Sequence, residues 1–322
     1  MDKLKSALPY LAGAILLMAL SVLFLRDEQP VISVSAEHLF WVGPLNVTNS
    51  LFTSWVVIVI ILVFVGVGLR NMSEQPSGLQ NALEFLYEGL YNLTENVAGP
   101  EHVKRFFAIP ATIFIYVLVS NWFALFPGFP LLGVGLCTEA HHAEETAHAE
   151  DSHADEGHAE EASGSMWTTC APGEHVVPLF RSPSADLNNT LSLALVTQVM
   201  SWTFGIMVLG FAGYFSKFFV TKKMISGATI GERFLGVIDF LVGLLELLSE
   251  FVKIVAYTFR LFGNIFAGEV TVMILTFFVP LILTLPMLGF EIFVGFIQAF
   301  VFFILSVAFY TLAVASHGDE AH

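Results

Sequence analysis

The chain has 322 residues, of which 56% are hydrophobic and only 13% are charged, and it contains 32 phenylalanines. One soluble core cannot bury that much apolar surface, so the composition excludes an ordinary soluble protein and predicts that lipid is the main solvent. The formal net charge of −15 does not indicate a general acidic surface, because nine acidic residues and no Lys or Arg fall between Glu139 and Glu161.

The apolar stretches predict an all-α, polytopic membrane protein, since one crossing of the hydrocarbon takes about 20 consecutive apolar residues. Six such stretches follow one another, at 7–25, 51–69, 106–127, 191–215, 234–285 and 287–315. The fifth is far too long for one perpendicular crossing, so its helix must tilt strongly, bend or break. We expect the last two stretches to form an antiparallel hairpin of long, tilted helices.

Residues 1–35 form an N-terminal region in which Lys3 and Lys5 precede the apolar run 7–25. A cleaved secretory signal peptide is one interpretation of this pattern. The small-residue sequence Val34-Ser35-Ala36 lies well beyond the apolar run. This favours an uncleaved signal-anchor helix followed by an outer segment.

The basic residues predict the orientation in the membrane. If the N-terminus is cytoplasmic and six crossings alternate, only Arg26 and Arg181 fall outside. This asymmetry follows the positive-inside rule, and it places both termini in the cytoplasm and the 128–190 segment outside a bacterial inner membrane. The basic residues assigned to the inside are Lys3, Lys5, Arg70, Lys104, Arg105, Lys217, Lys222, Lys223 and Arg233.

Residues 36–127 contain membrane helices and an amphipathic segment between them. Leucines recur at helical spacing over 79–94, at Leu79, Leu83, Leu86, Leu90 and Leu93. The pattern predicts a helix that lies on the cytoplasmic surface of the membrane or packs on another subunit.

Residues 128–180 form an outer loop whose centre is rich in Ala, Glu and His. This insert lacks the apolar residues needed for a core, so we expect it to be disordered. Its five histidines are irregularly spaced, which makes them weak candidates for Zn²⁺ or Cu²⁺ ligands; proton buffering and an inert solvated loop are the alternatives. They are His141, His142, His148, His153 and His158. Cys137 and Cys170 flank the insert and would face an oxidising compartment, so we predict a disulfide between them.

A stripe of charged residues runs through the fifth stretch. Glu246, Lys253 and Arg260 are seven residues apart and share one helix face, and the adjacent column holds Glu250, Tyr257 and Asn264. Glu246 and Lys253 could form a structural ion pair, or their charged ends could reach toward a helix end. Arg260 lies deep in apolar sequence, where charged residues mark ion pathways. Because a guanidinium cannot release its proton, Arg260 is predicted to be a fixed positive charge.

Several motifs together resemble those of one family. They are Arg260-Leu261-Phe262-Gly263-Asn264-Ile265-Phe266-Ala267-Gly268-Glu269, Ile297-Gln298-Ala299-Phe300-Val301-Phe302, Pro183-Ser184-Ala185-Asp186-Leu187-Asn188-Asn189-Thr190-Leu191-Ser192 and Asn121. With these residues the chain resembles subunit a of the membrane (Fo) sector of F-type ATP synthase, over residues 36–127 and 180–316. The ion-conducting core would span 181–316, and 317–322 would be a C-terminal tail.

The resemblance implies a stator subunit beside a rotating ring of c subunits, each with one membrane-embedded carboxyl, and beside the b-subunit peripheral stalk. Protons would reach and leave the ring through two half-channels, which couples their flow to rotation and ATP synthesis. Arg260 would face the ring between the half-channels. The chain itself would need no cofactor, catalyse no reaction and bind no nucleic acid, and it contains no Gly-x-x-x-x-Gly-Lys-[Ser/Thr] loop.

Matched positions also predict the register of the C-terminal hairpin. Arg260 would lie level with Gln298, and Glu269 level with Glu291; one antiparallel register satisfies both. The turn would then fall at 279–280, where Pro280 can end a helix.

Glu269 belongs to a different compartment from Arg260, because nine residues of helix separate them by about 13.5 Å and turn them to nearly opposite faces. We expect Glu269, Glu291, Asp186 and Asn188 to line the outer half-channel.

Residues toward the cytoplasmic end of the fifth stretch are expected to line the inner half-channel. Glu246 and Ser249 would take this role, with Lys253 as a salt-bridging gate. Asn188 and Ser249 could instead serve only as hydrogen-bonded contacts between helices.

Members of the family commonly place a His opposite a Glu at the positions matched by Glu269 and Glu291, and this chain departs by holding Glu at both. Two facing carboxyls in a poorly hydrated channel cannot both ionise at low cost. We therefore expect them to share one proton and to act together as the relay. A salt bridge to a basic residue is the alternative, with few candidates, since Arg260 lies on the opposite face and Lys253 lies further toward the cytoplasm.

Two other classes of function remain as alternatives. A secondary transporter of an anionic solute would use Arg260 to bind its substrate, but it predicts inverted sequence repeats, and none is evident. An intramembrane enzyme needs a nucleophile with a base, or a metal site, and no His lies within the predicted crossings.

Overall fold

The computed structural model describes residues 36–42, 45–70, 78–125, 135–139, 164–165, 168–169, 174–218, 230–278 and 284–315. Helices dominate these residues, as predicted. They are α1 (Asn49–Leu69), α2 (Leu79–Ala98), α3 (Val103–Phe106), α4 (Ala108–Ala124), α5 (Leu187–Phe218), α6 (Ile230–Phe278) and α7 (Thr284–Val314).

Three helices of the described part, α1, α5 and α7, are long and apolar enough to cross a membrane, and α4 is a shorter apolar helix. They coincide with four of the predicted apolar stretches and confirm an all-helical polytopic membrane protein. The helix predicted over 79–94 is also confirmed, as α2. The predicted signal-anchor run 7–25, the histidines of the insert and the tail 317–322 lie outside the described residues.

Short antiparallel strand pairs were not predicted. They are β1 (His38–Val42) with β2 (Leu45–Thr48), β3 (Gly135–Glu139) with β6 (Glu174–Pro178), and β4 (Gly164–Ser165) with β5 (Thr168–Thr169). The sequence signal for the first pair was Gly43-Pro44 between two short apolar runs, which is typical of a turn between strands. The pair β3 and β6 brings together the two ends of the His-rich insert.

Helix α6 is continuous over 49 residues, which corresponds to about 74 Å at 1.5 Å per residue. This length exceeds the hydrocarbon thickness of roughly 30 Å. The stretch was expected to tilt, bend or break. No break interrupts Ile230–Phe278, so a tilt or a bend remains. The helix ends just before Pro280, where the turn was predicted.

The chain divides into two compact units. Unit 1 comprises Met1–Trp55, Trp122–Pro183 and Ala267–Ile292, and unit 2 comprises Val56–Asn121, Ser184–Phe266 and Phe293–His322. Helices α6 and α7 therefore contribute a segment to each unit.

In unit 1, aromatic rings hold the segment that precedes α5. The ring of Phe180 lies 5.7 Å from that of Phe52 and 6.0 Å from that of Phe123. The next residue, Arg181, donates its backbone N–H to Thr53 Oγ1 at 3.2 Å. Trp122 Nε1 donates to the carbonyl of Ile292 at 3.1 Å. These contacts hold Arg181 in the same unit as the α6–α7 turn.

In unit 2, the core is a cluster of apolar side chains from α2 to α7. Its fully buried centre includes Phe106 and Tyr310, whose rings are 5.8 Å apart, and the ring of Phe204 lies 5.0 Å from each. Between helices in lipid there is little hydrophobic driving force, so close packing and edge-to-face ring contacts must supply the stabilisation.

Gly210 interrupts α5. Its φ of 73° and ψ of 160° are not helical, and a positive φ of this kind is costly for any residue with a Cβ. Past this point the ring of Tyr214 packs directly on Gly205, where a Cβ would overlap it.

Contacts in each unit show the register of α6 against α7. In unit 2, Tyr257 lies against Phe302 and donates its hydroxyl to the Phe302 carbonyl at 3.4 Å. In unit 1, Gly268 lies against Glu291. Each contact is one residue away from the predicted register, in opposite directions, so the predicted antiparallel pairing is confirmed.

Candidate functional site

Arg260 lies on an exposed face of α6, in unit 2. Its guanidinium carbon is 5.9 Å from the ring centre of Tyr257, one turn earlier on the helix. Exposed apolar side chains flank it: Phe259 is 57% exposed, and Val252 and Val255 are 55% exposed. No carboxyl contacts Arg260 within the described residues. The helix therefore presents a cation among exposed apolar side chains, and no carboxyl of the described residues contacts it.

Asn264 is exposed one turn after Arg260, and Gln298 on α7 is half-buried. The contact between Tyr257 and Phe302 places Gln298 within about one residue of the level of Arg260. Asn121 on α4 is buried and donates its side-chain amide to the Gly295 carbonyl at 3.2 Å, so it ties α4 to α7 just before Gln298.

Glu250 is the centre of a buried polar cluster in unit 2. One carboxylate oxygen accepts hydrogen bonds from Gln198 Nε2 and from Trp202 Nε1, the latter at 3.1 Å. The other oxygen forms an ion pair with Lys253 Nζ at 2.5 Å. Lys253 Nζ also lies 5.0 Å from the ring centre of Phe309. Donors from α5 and α6 thus converge on a single carboxylate.

The ion pair of Lys253 differs from the one that was considered as an alternative. The spacing allowed a structural pair with Glu246 at i,i+7, whereas Lys253 pairs with Glu250 at i,i+3. Glu246 and Ser249 are half-buried, and the Ser249 hydroxyl donates to the Glu246 carbonyl at 2.7 Å. This bond lies within one helix, so it is not the contact between helices that was considered for Ser249.

Glu269 and Glu291 lie at nearly the same level of the α6–α7 hairpin, near its turn, in unit 1. Both carboxylate oxygens of Glu291 lie so close to Gly268 that a Cβ at that position would overlap them. Glu291 is only 5% exposed, and no basic side chain contacts it among the described residues. The absence of a side chain at Gly268 is thus what allows the Glu291 carboxyl to lie beside the backbone that carries Glu269.

Glu269 has a basic neighbour that was not predicted. Arg181 Nε lies 3.8 Å from Glu269 Oε2, and the two side chains are 6% and 25% exposed. The salt bridge that the sequence left as an alternative is therefore present at Glu269, with an arginine that was considered only for membrane orientation. Its signal in the sequence was a basic residue outside the membrane, five positions before Asp186.

Asp186 immediately precedes α5, in unit 2. Its Oδ1 accepts the backbone N–H of Asn188 at 2.9 Å, as in an N-cap. Asn188 itself is exposed, and it is the adjacent Asn189 that contacts another helix, through a 3.1 Å hydrogen bond from the hydroxyl of Tyr116. Among the described residues, the contact between helices is thus seen for Asn189 and not for Asn188.

Three residues that contact these carboxylates were absent from the predicted sites. They are Gln198 and Trp202, which contact Glu250, and Arg181, which lies beside Glu269. Gln198 and Trp202 lie inside the fourth apolar stretch, and a polar side chain within a membrane segment was their only signal. Among the described residues, no group of three or more His, Cys, Asp or Glu could hold a metal ion. The five weak metal candidates of the insert lie outside that part.

Comparison with known families agrees with these observations. The profile of the family described as ATP synthase A chain matches residues 51–311, which include every residue of the sites above. The match covers well over half of the chain and contains the exposed Arg260 and the two carboxyls near the hairpin turn. The chain therefore belongs to the ATP synthase A chain family, the proton-translocating, non-catalytic subunit a of the membrane-embedded Fo sector.

Proposed function

We propose that this chain passes protons through two half-channels to and from the carboxyls of a c-subunit ring, and that Arg260 separates the half-channels. The observation that carries the proposal is the position of Arg260, an exposed cation that lies among exposed apolar side chains and that no carboxyl of the described residues contacts. This face of α6 is suited to contact a membrane-embedded helix of another subunit that carries a carboxyl.

Electrostatics explains what Arg260 would do there. A permanent cation stabilises the ionised form of any carboxyl brought beside it, so a protonated ring carboxyl that arrives would release its proton. The same charge repels a proton that would pass directly between the half-channels. The membrane potential supplies about 2.3 kcal/mol per elementary charge per 100 mV for this work.

The outer half-channel, in this proposal, is lined by Glu269, Glu291, Asp186 and Asn188. Glu269 and Glu291 are supported as a functional pair by the contact of Glu291 with Gly268, the residue next to Glu269. Asn188 is supported by its exposed side chain, and Asp186 precedes it at the start of α5.

Glu246 and Ser249 line the inner half-channel in this proposal. The Lys253 ion pair with Glu250 lies one turn from Ser249 on α6. It supports a gate in which Lys253 is held by Glu250 beside the proton path.

The proposed partners are the c-ring, the b-subunit peripheral stalk and the remaining subunits of the synthase, which would carry the ATP chemistry. We place the chain in the cell inner membrane with both termini in the cytoplasm and the His-rich loop outside. The support is the asymmetry of the basic residues along the sequence.

The decisive experiment is Arg260→Ala in inverted membrane vesicles. We expect proton-driven ATP synthesis to be abolished while the subunit stays inserted and assembled, because one exposed charge is lost and the helix is unaffected. Arg233→Ala is the matched control, since it removes another exposed cation of the same helix near its start. Coupled synthesis above a trace in Arg260→Ala would overturn the proposal.

A further inference from the structure

The two carboxyls near the hairpin turn have different surroundings. Glu269 Oε2 lies 3.8 Å from Arg181 Nε. Glu291 is almost fully buried and lies against the backbone of Gly268, without contact to any basic side chain of the described residues. One member of the pair thus has a counter-charge and the other does not.

Contacts with α1 fix the position of the segment that carries Arg181. Its backbone N–H donates to Thr53 Oγ1 at 3.2 Å, and Thr53 donates in turn to the Asn49 carbonyl at 2.8 Å. The neighbouring Phe180 packs against the ring of Phe52, so the segment is attached to the first turn of α1 at two points. The side chain of Arg181 is only 6% exposed.

A buried guanidinium must have an anion near it. It cannot release its proton, and leaving a buried charge without its partner is strongly destabilising. If Glu269 accepted a proton, Arg181 would lose a negative charge 3.8 Å away. Burial favours the neutral form of both carboxyls, but only Glu269 has a cation beside it that favours its ionised form. A proton that reaches the two acids is therefore held at lower cost by Glu291.

We propose that Arg181 is a positioning residue that holds Glu269 as a fixed anion, so that Glu291 alone carries the transferred proton. The inference deepens the proposed outer half-channel and rests on it. It replaces a shared relay of two equivalent acids with one ion pair and one carrier. Arg181 and Glu269 together stay neutral, and only Glu291 alternates between its charged and neutral forms.

Passive proton flux through the membrane sector in vesicles, with the assembled subunit quantified in the same membranes, tests the assignment. Glu291→Gln should abolish the flux. Arg181→Gln and Glu269→Gln should each lower it at least about tenfold, because each leaves one charge of a buried pair uncompensated. The double variant Arg181→Gln with Glu269→Gln should recover most of the flux, since Glu291 remains and no charge is left unpaired.

Each outcome separates a carrier from a fixed anion. A double variant that assembles and conducts no faster than Glu269→Gln would overturn the assignment, because Glu269 would then be a carrier itself. Wild-type flux in Glu291→Gln would overturn it as well. If the neutral double variant does not assemble, Arg181→Lys replaces it: this variant keeps the charge and should retain the flux, and loss of flux in assembled Arg181→Lys counts against the proposal. If the proposed function itself is wrong, Arg260→Ala will retain coupled ATP synthesis. That result is independent of these flux measurements.

Discussion

At the residue scale, Glu291 differs from the residue that the family commonly places opposite a Glu. A His at this position would also carry one proton, since imidazole changes its charge near neutral pH. Glu291→His should therefore preserve proton flux, whereas Glu291→Leu should lower it roughly 100-fold, a size typical for loss of a positioned proton-transfer group. Passive proton uptake by vesicles measures both.

Glu269→Leu belongs to the same experiment. We expect it to cut the flux severely, because Arg181 loses the carboxylate that lies 3.8 Å away. Wild-type uptake in Glu269→Leu would mean that the outer half-channel runs elsewhere.

Glu250 is predicted to act through structure, because its carboxylate collects hydrogen bonds from Gln198 and Trp202 and an ion pair from Lys253. Removing one partner of a buried ion pair costs up to about 3–5 kcal/mol, and replacing both with apolar residues costs much less. Glu250→Leu should therefore lower the thermal stability of the purified complex more than Glu250→Leu with Lys253→Met. Glu246→Leu, in the same helix, is the control, and equal melting of the single and double variants would contradict this account.

At the element scale, the close approach of α6 and α7 depends on Gly268. Gly268→Ala would push a Cβ into both oxygens of Glu291, and such overpacking typically costs about 1–3 kcal/mol. We expect a lower melting temperature and reduced proton uptake. Gly289→Ala is the matched control on α7, because nothing lies within 4 Å of the added Cβ. If both variants behaved alike, the contact at Gly268 would carry no function.

At the scale of the whole molecule, the strands β3 and β6 join the two ends of the insert. Cys137 lies in β3, whereas Cys170 lies outside the described residues, so the disulfide stays a prediction from the sequence. The predicted disulfide between Cys137 and Cys170 would close about 33 residues and stabilise the fold by about 3–4 kcal/mol in the chain-entropy model. Isolation from the native membrane without reductant, followed by thiol labelling, should detect no free thiol. Labelling of both cysteines would contradict the predicted disulfide.

The sequence alone determined the helical, membrane-embedded fold and the special position of Arg260. Both follow from local properties: the length of each apolar stretch and the cost of one charge deep inside such a stretch. The register of the last two helices was also accessible, because Arg260, Gln298, Glu269 and Glu291 lie in motifs that resemble those of a known family. Its contacts at Tyr257 and Gly268 fall within one residue of the expectation.

Only the tertiary structure decided which groups compensate the buried charges. Arg181 reaches Glu269, and Gln198 and Trp202 reach Glu250, across long separations in sequence. Periodicity shows which residues share a face of one helix, but the rotation of a helix about its axis and the segment opposite it depend on side-chain packing throughout each unit. The two acids that looked equivalent in sequence differ in the structure for that reason, since an arginine from a distant segment contacts only one of them.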